Sequence, residues 1–142
     1  MAVTFACLAP GFRLQQSRIL RTWLLETAQK EKATVKRLHV VLTTDKHIFN
    51  LNKKFLNHSW PTDVLTFSYA APGFPLEAEV YISVDRVADN ARRFHEPFVR
   101  ELHRVMIHGL LHCLGYSDRN RNEAARMRRA ENRYLALLSR TN

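Results

Sequence analysis

His108 and His112 stand four residues apart in the run His108-Gly109-Leu110-Leu111-His112-Cys113-Leu114-Gly115-Tyr116-Ser117-Asp118. In an α-helix that spacing puts both imidazoles on one face, about one turn from each other, where they can share one zinc ion. Gly115 falls where such a helix must stop, because glycine accepts the left-handed backbone that closes a helix C-terminus. A chain that turns back there brings Asp118 toward the same point. Two imidazole nitrogens and one carboxylate oxygen, with water in the fourth position, describe an open catalytic zinc site. Water held there becomes a nucleophile near neutral pH. His108, His112 and Asp118 are therefore the expected metal ligands and catalytic residues. Two plainer roles stay open: the histidines suit hydrogen-bonded places on a half-buried helix, and Asp118 could cap the helix that follows. Cys113 points off another side of the helix and is read as core packing.

The elements that must position these donors follow from the hydrophobic pattern. Ala2 to Cys7 reads as a strand ended by Pro10-Gly11. Ser17 is placed as the cap of a helix to about Lys32, with Ile19, Leu20, Trp23, Leu24 and Thr27 inward. Arg37 to Thr43 is a strand, and Thr44 caps a helix through about Leu56. In that helix Ile48, Leu51 and Phe55 are expected inside, and Asn52, Lys53 and Lys54 outside. A loop covers Asn57 to Thr62. Asp63 to Tyr69 and Glu79 to Val84 read as two strands of an antiparallel hairpin. Asp85 to Phe94 is a short polar helix. Pro97 at its first position starts the next helix, which runs to about Leu114 and carries the histidine pair. Val99, Leu102, Val105, Met106 and Leu110 are its expected inner face, and His103 is read as a surface or capping residue. A last amphipathic helix spans about Arg119 to Arg140, with Met127, Ala130, Tyr134, Leu137 and Leu138 inward. Its seven arginines include Arg119, Arg121, Arg126, Arg128 and Arg129, taken here as a phosphate-contacting face.

Composition narrows the class. A chain of 142 residues with 46% apolar content suits one domain, residues 1–142, with a real core. Two cysteines far apart, Cys7 and Cys113, suggest no disulfide scaffold and point to a reducing cytoplasm. No run of 18 apolar residues is present, so no membrane span is expected. The net charge of +9 makes a polyanion the expected partner, nucleic acid first and an anionic membrane surface second.

Three motifs in order resemble a known family. His108 to Tyr116 looks like the signature of the YbeY family of metal-dependent endoribonucleases, the rRNA maturation factors. Leu51-Asn-Lys-Lys-Phe55 followed by Pro61-Thr-Asp-Val-Leu-Thr-Phe67 resembles the family's stretch ahead of its central hairpin. Glu79-Val-Tyr-Ile-Ser83 resembles the strand that follows, although Ala78 stands where the family has glycine. The resemblance implies an α+β fold: a small mixed sheet of about four strands, about five helices packed around it, and a zinc-binding helix lining a cleft. It also implies cleavage of single-stranded rRNA in 3′- and 5′-end maturation, ribosome assembly and quality control. The implied partners are rRNA, the small ribosomal subunit and assembly factors, with no small-molecule cofactor beyond one zinc ion.

Two departures stand out. Asp118 occupies the place of the family's usual third histidine ligand. A carboxylate is a harder ligand than imidazole, and it lowers the net charge at the metal, so bound water should be somewhat less acidic. Leu56 occupies the place of an arginine that the family often carries and that is thought to matter for activity. His58, Lys53, Lys54 and the C-terminal arginines are further candidates for holding phosphate. Two competing functions are weighed against the nuclease. A zinc peptidase of the His-Glu-x-x-His kind lacks its base here, because that position is Gly109. A non-catalytic ribosome-assembly module would keep a structural metal and rely on the basic helix.

Overall fold

The computed structural model of the chain describes residues 1–56, 62–71 and 73–141. The elements are β1 (Val3–Cys7), α1 (Ser17–Lys30), β2 (Val35–Thr43), α2 (Asp45–Leu56), β3 (Val64–Ser68), β4 (Leu76–Ser83), α3 (Val84–Arg93), α4 (Phe98–Cys113) and α5 (Arg121–Thr141). The four strands form one mixed sheet in the order β1-β2-β4-β3. β1 and β2 are parallel, as are β2 and β4, and β3 runs antiparallel to β4 as the outer strand. This is the α+β architecture expected, a mixed four-stranded sheet with five helices. Most of the loop expected from Asn57 to Thr62, including His58, lies outside the described residues.

The alternation of side chains along each strand divides the sheet into two faces. Leu38, Val40 and Leu42 of β2 and Ala78, Val80 and Ile82 of β4 are buried in one cluster with α1, α4 and α5. The opposite face carries Tyr81, whose ring meets His47 of α2 and Phe67 of β3 edge-on. Trp23 of α1 is fully buried, and its indole N–H donates to the Tyr134 carbonyl at 2.8 Å, tying α1 to α5. At Gly109 the helix α4 lies directly on the sheet. A Cβ there would sit 2.6 Å from Val80 Cγ1 and 3.5 Å from Val64 Cγ2. Only a residue without a side chain lets α4 come this close.

Several local expectations need correction. Ser17 is the first helical residue of α1, not its cap; Gln16 holds the cap position in left-handed backbone, and no side chain caps the helix. Thr44 does cap α2, its Oγ1 accepting from His47 N at 3.2 Å. Phe55 is 59% exposed, while Asn52 is buried. The buried side of α2 centres on Ile48 and Asn52, with Leu51 half-buried, where the helix meets β3, β4 and α3. Pro97 is the N-cap of α4 rather than its first residue, and Val99 points outward. His103 is buried, with its ring edge against Trp23 at 6.0 Å between centroids. It is a core residue because α1 crosses α4 at that turn. α5 buries Leu135 as well as Met127, Ala130, Tyr134 and Leu138, while Leu137 is only half-buried. Among the described residues no helix is long and apolar enough to cross a membrane.

Burial lowers the His103 pKa from 6.5 to about 4, since an imidazolium there would be stripped of water. The unfolded chain takes up that proton first, so the stability contributed by neutral His103 is complete above pH 6.5. It is lost progressively as pH falls toward 4, by on the order of 3 kcal/mol. Urea unfolding at pH 7 and pH 4.5 should show that loss in the wild type, and His103→Phe should remove most of the difference.

Candidate metal centre

Helix α4 carries His108 and His112 on the side facing the outer strand β3. The helix ends in a closed turn. Gly115 N–H donates to the His112 carbonyl at 3.1 Å and Tyr116 N–H to the Leu111 carbonyl at 3.0 Å, with Gly115 at φ +107°. This paired bonding satisfies the last carbonyls of the helix and needs glycine at the left-handed position. The chain then reverses, as expected, and brings Asp118 back beside His108. Asp118 Oδ2 lies 3.9 Å from His108 Nε2, with the Asp118 side chain 58% exposed.

Each imidazole is oriented by a partner on its other nitrogen. His108 Nδ1 donates to Glu131 Oε2 of α5 at 2.7 Å. His112 Nδ1 shares a hydrogen bond with Thr66 Oγ1 of β3 at 3.1 Å. In both rings Nε2 is the nitrogen left for another ligand. Glu131 is almost fully buried and also receives Arg104 Nη1 at 3.0 Å, with Arg128 Nη1 at 3.7 Å. Burial alone would depress the His108 pKa. The bond to Glu131 and the charges of Glu131, Asp63 and Asp118 outweigh burial and hold it above the ordinary value. Glu131 is the mirror case: burial favours its neutral form, but the His108 bond and the neighbouring arginines keep it ionised and lower its pKa.

These groups line a cleft of about 400 Å³ whose walls include Asp63, Glu101, Arg104, His108, Asp118 and Arg128. Asp63, at the start of β3, receives Asn90 Nδ2 at 3.3 Å. Burial raises the pKa of Asp63, with His108 opposing, and burial likewise raises that of Glu101, helped by Asp63. A larger cavity of about 630 Å³ lies past the end of α4, between Lys32, Thr34, Ser68 and Gly115. It holds none of the three donors, whereas the smaller cleft is lined by His108 and Asp118; His112 is exposed and lines neither.

Two of the three expected donors stand near each other at a spacing that a metal ion could bridge. Zinc bonds of about 2.1 Å in tetrahedral array put two ligand atoms roughly 3.4 Å apart, and His108 Nε2 and Asp118 Oδ2 are 3.9 Å apart. A histidine whose far nitrogen is fixed by a carboxylate is the usual surrounding of a ligating imidazole. Among the described residues no three His, Cys, Asp or Glu side chains are yet drawn together tightly enough to hold an ion. Bringing His112 and Asp118 in is a matter of exposed side chains rather than of the backbone of α4.

A profile of the endoribonuclease YbeY family matches residues 12–139. The chain belongs to the YbeY family. It is 39% identical over 126 residues to the endoribonuclease YbeY of Cytophaga hutchinsonii, covering 89% of this chain and 88% of that one. It is 40% identical over 124 residues to that of Amoebophilus asiaticus, with 87% and 84% covered. The solution structure of a Thermotoga maritima protein shares the fold, with a TM-score of 0.64 and 31% identity over 94% of this chain and 88% of that one. As a YbeY endoribonuclease the chain is a hydrolase.

The arginines of α5 share its exposed side but are spread widely across it. Arg128 is on the cleft. Arg126 stacks over the Tyr116 ring on the other flank, and Arg119 is held by Ser117 and Glu123. Arg121 and Arg129 are exposed and line none of the cleft. Three groups escaped the sequence reading: Glu131 and Arg104, which line this YbeY cleft, and Thr66, which orients His112. Glu131 had a legible signal, since it falls on the buried stripe with Met127, Ala130, Tyr134 and Leu138, where an unpartnered carboxylate would not be tolerated.

Replacing Glu131 by Gln removes the charge that holds His108. The Glu131→Gln protein should bind zinc roughly 10- to 100-fold more weakly, measured by chelator competition, with its circular dichroism spectrum unchanged.

Proposed function

We propose that the chain is a zinc-dependent endoribonuclease that cleaves single-stranded rRNA during 3′- and 5′-end maturation, working in the cytoplasm with the small ribosomal subunit and its assembly factors. The observation that carries the reading is the His108–Asp118 pair at 3.9 Å in a cleft edged by Arg104 and Arg128, in a chain of this family. His108, His112 and Asp118 would hold one zinc. When bound, zinc polarises a phosphate oxygen and makes water a stronger acid.

The residues present account for the rest of the chemistry. Glu131 keeps the His108 proton on Nδ1, so that Nε2 keeps its lone pair for the ion. Thr66 does the same for His112 when its hydroxyl oxygen accepts from Nδ1. Arg128, 61% exposed and only loosely held by Glu131, is placed to neutralise a phosphate at the cleft. Arg104 is bound to Glu131 and mostly covered, so it keeps the carboxylate in place and adds positive field. An exposed Asp118 and an open cleft suit a catalytic metal better than a structural one, which is normally enclosed by four protein ligands. A narrow cleft also accepts a flexible single strand more readily than an A-form duplex. Position 109 is packed on Val80, so the peptidase base has neither side chain nor room, which argues against that reading.

Asp118→Ala should abolish cleavage of a single-stranded rRNA fragment while leaving its Kd within about threefold of wild type. Equal cleavage by both proteins would remove Asp118 from the reaction. Arg128→Ala should instead weaken RNA binding across sequences and reduce the slope of log K against log salt by about 1.

A further inference from the structure

Asp118 sits in the middle of a short link between α4 and α5, and both ends of that link are pinned. On the α5 side, Asn120 Oδ1 accepts from Glu123 N at 2.9 Å, and the Asn120 carbonyl accepts from Ala124 N at 2.9 Å. On the α4 side the pin is Tyr116. Its backbone N–H closes the helix on Leu111, its hydroxyl donates to Glu31 Oε1 at 3.0 Å, and its ring lies 4.7 Å from the Arg126 guanidinium carbon. Between the pins, Ser117 Oγ accepts from Arg119 N at 3.2 Å and from Arg119 Nε at 3.1 Å.

Glu31 lies just past α1, at its C-cap, in no direct contact with the cleft. Its second oxygen accepts the Tyr134 hydroxyl of α5, and Arg133 Nη2 stands 3.6 Å away. One carboxylate thus gathers two phenols from different stretches of chain. Burial, and then bonding to Glu31, raises both phenol pKa values, that of Tyr134 to about 12, so both remain donors. Neither Glu31 nor Tyr116 lines the cleft that holds His108 and Asp118.

We propose that Glu31, acting through the Tyr116 hydroxyl, is a positioning residue that holds the α4–α5 link so that the Asp118 carboxylate faces His108. The proposal rests on the reading of Asp118 as a zinc ligand. A link fixed at both ends gives up little further freedom when Asp118 binds an ion; a link freed at Tyr116 must be ordered at that moment, and affinity falls by the cost of ordering it.

Zinc dissociation constants of the full chain, by competition with a chromophoric chelator, test this together with melting temperatures of the metal-free proteins. Tyr116→Phe keeps the ring against Arg126 and removes the hydroxyl that bonds Glu31 and also meets Arg133. It and Glu31→Gln should each weaken zinc binding about tenfold, and the double variant should be no weaker than about the worse single one. Tyr134→Phe removes a bond to the same carboxylate from α5 and should lower the melting temperature, yet change zinc affinity by less than about threefold. Wild-type affinity in Tyr116→Phe, with affinity lost in Asp118→Ala, overturns the positioning role alone. Equal losses in Tyr134→Phe and Tyr116→Phe also overturn it, because the cluster would then be general scaffold. Wild-type affinity in Asp118→Ala overturns the ligand reading and this proposal with it.

Discussion

The absence of a side chain at Gly109 sets the height of α4 above the sheet, and the cleft depends on that height. Glycine inside a helix costs about 1 kcal/mol against alanine, so its place here must be compensated by packing. The compensation is the direct seat on Val80 and Val64. With the helix this low, His112 comes within hydrogen-bond reach of Thr66 on the outer strand, and His108 shares a wall with Asp63 at the start of the same strand. A helix lifted by even one methyl group would part His112 from Thr66. The residue that lacks chemistry is therefore the one that brings the chemistry together.

The cleft resolves an electrostatic conflict. A site that takes both a divalent cation and a phosphate must attract opposite charges within a few ångströms. In a chain of net charge +9, the negative charge is concentrated at depth: Asp63, Glu101 and Glu131 are covered, and Asp118 is at the mouth. Positive charge stands at the edge in Arg128 and, mostly covered, in Arg104. Glu131 joins the two sets, since it accepts from His108 and Arg104 and has Arg128 3.7 Å away. Its burial is tolerable only because every partner is cationic or a donor.

Much of this was legible in the sequence, because it rests on local rules. The His108/His112 spacing, the stop at Gly115 and the return of Asp118 are helix geometry and turn chemistry, and they hold. The hairpin of β3 and β4 and the cap at Thr44 are local too. What escaped is what depends on which element crosses which. His103 has the composition of a surface residue and is buried because α1 passes over it. Phe55 has the spacing of a core residue and is exposed because the buried side of α2 centres on Ile48 and Asn52. The arginines of α5 do share its exposed side, but which of them borders the cleft depends on packing: Arg128 lines it, while Arg126 lies over Tyr116. Glu131 is an acid among arginines in the sequence, and only its place on the buried stripe shows that it requires a buried partner.

The order of the elements along the chain gives the site a place in time. All four strands, and with them the seat for Gly109, are complete at Ser83. The histidines follow on α4, then Asp118, and only α5 supplies Glu131 and Tyr134. The sheet alone therefore does not make the site, because the carboxylate that fixes the first imidazole comes from α5, which packs on α4 in the same core. A domain folds as a unit, so the site takes shape only when α5 has docked on the helix that carries the histidines.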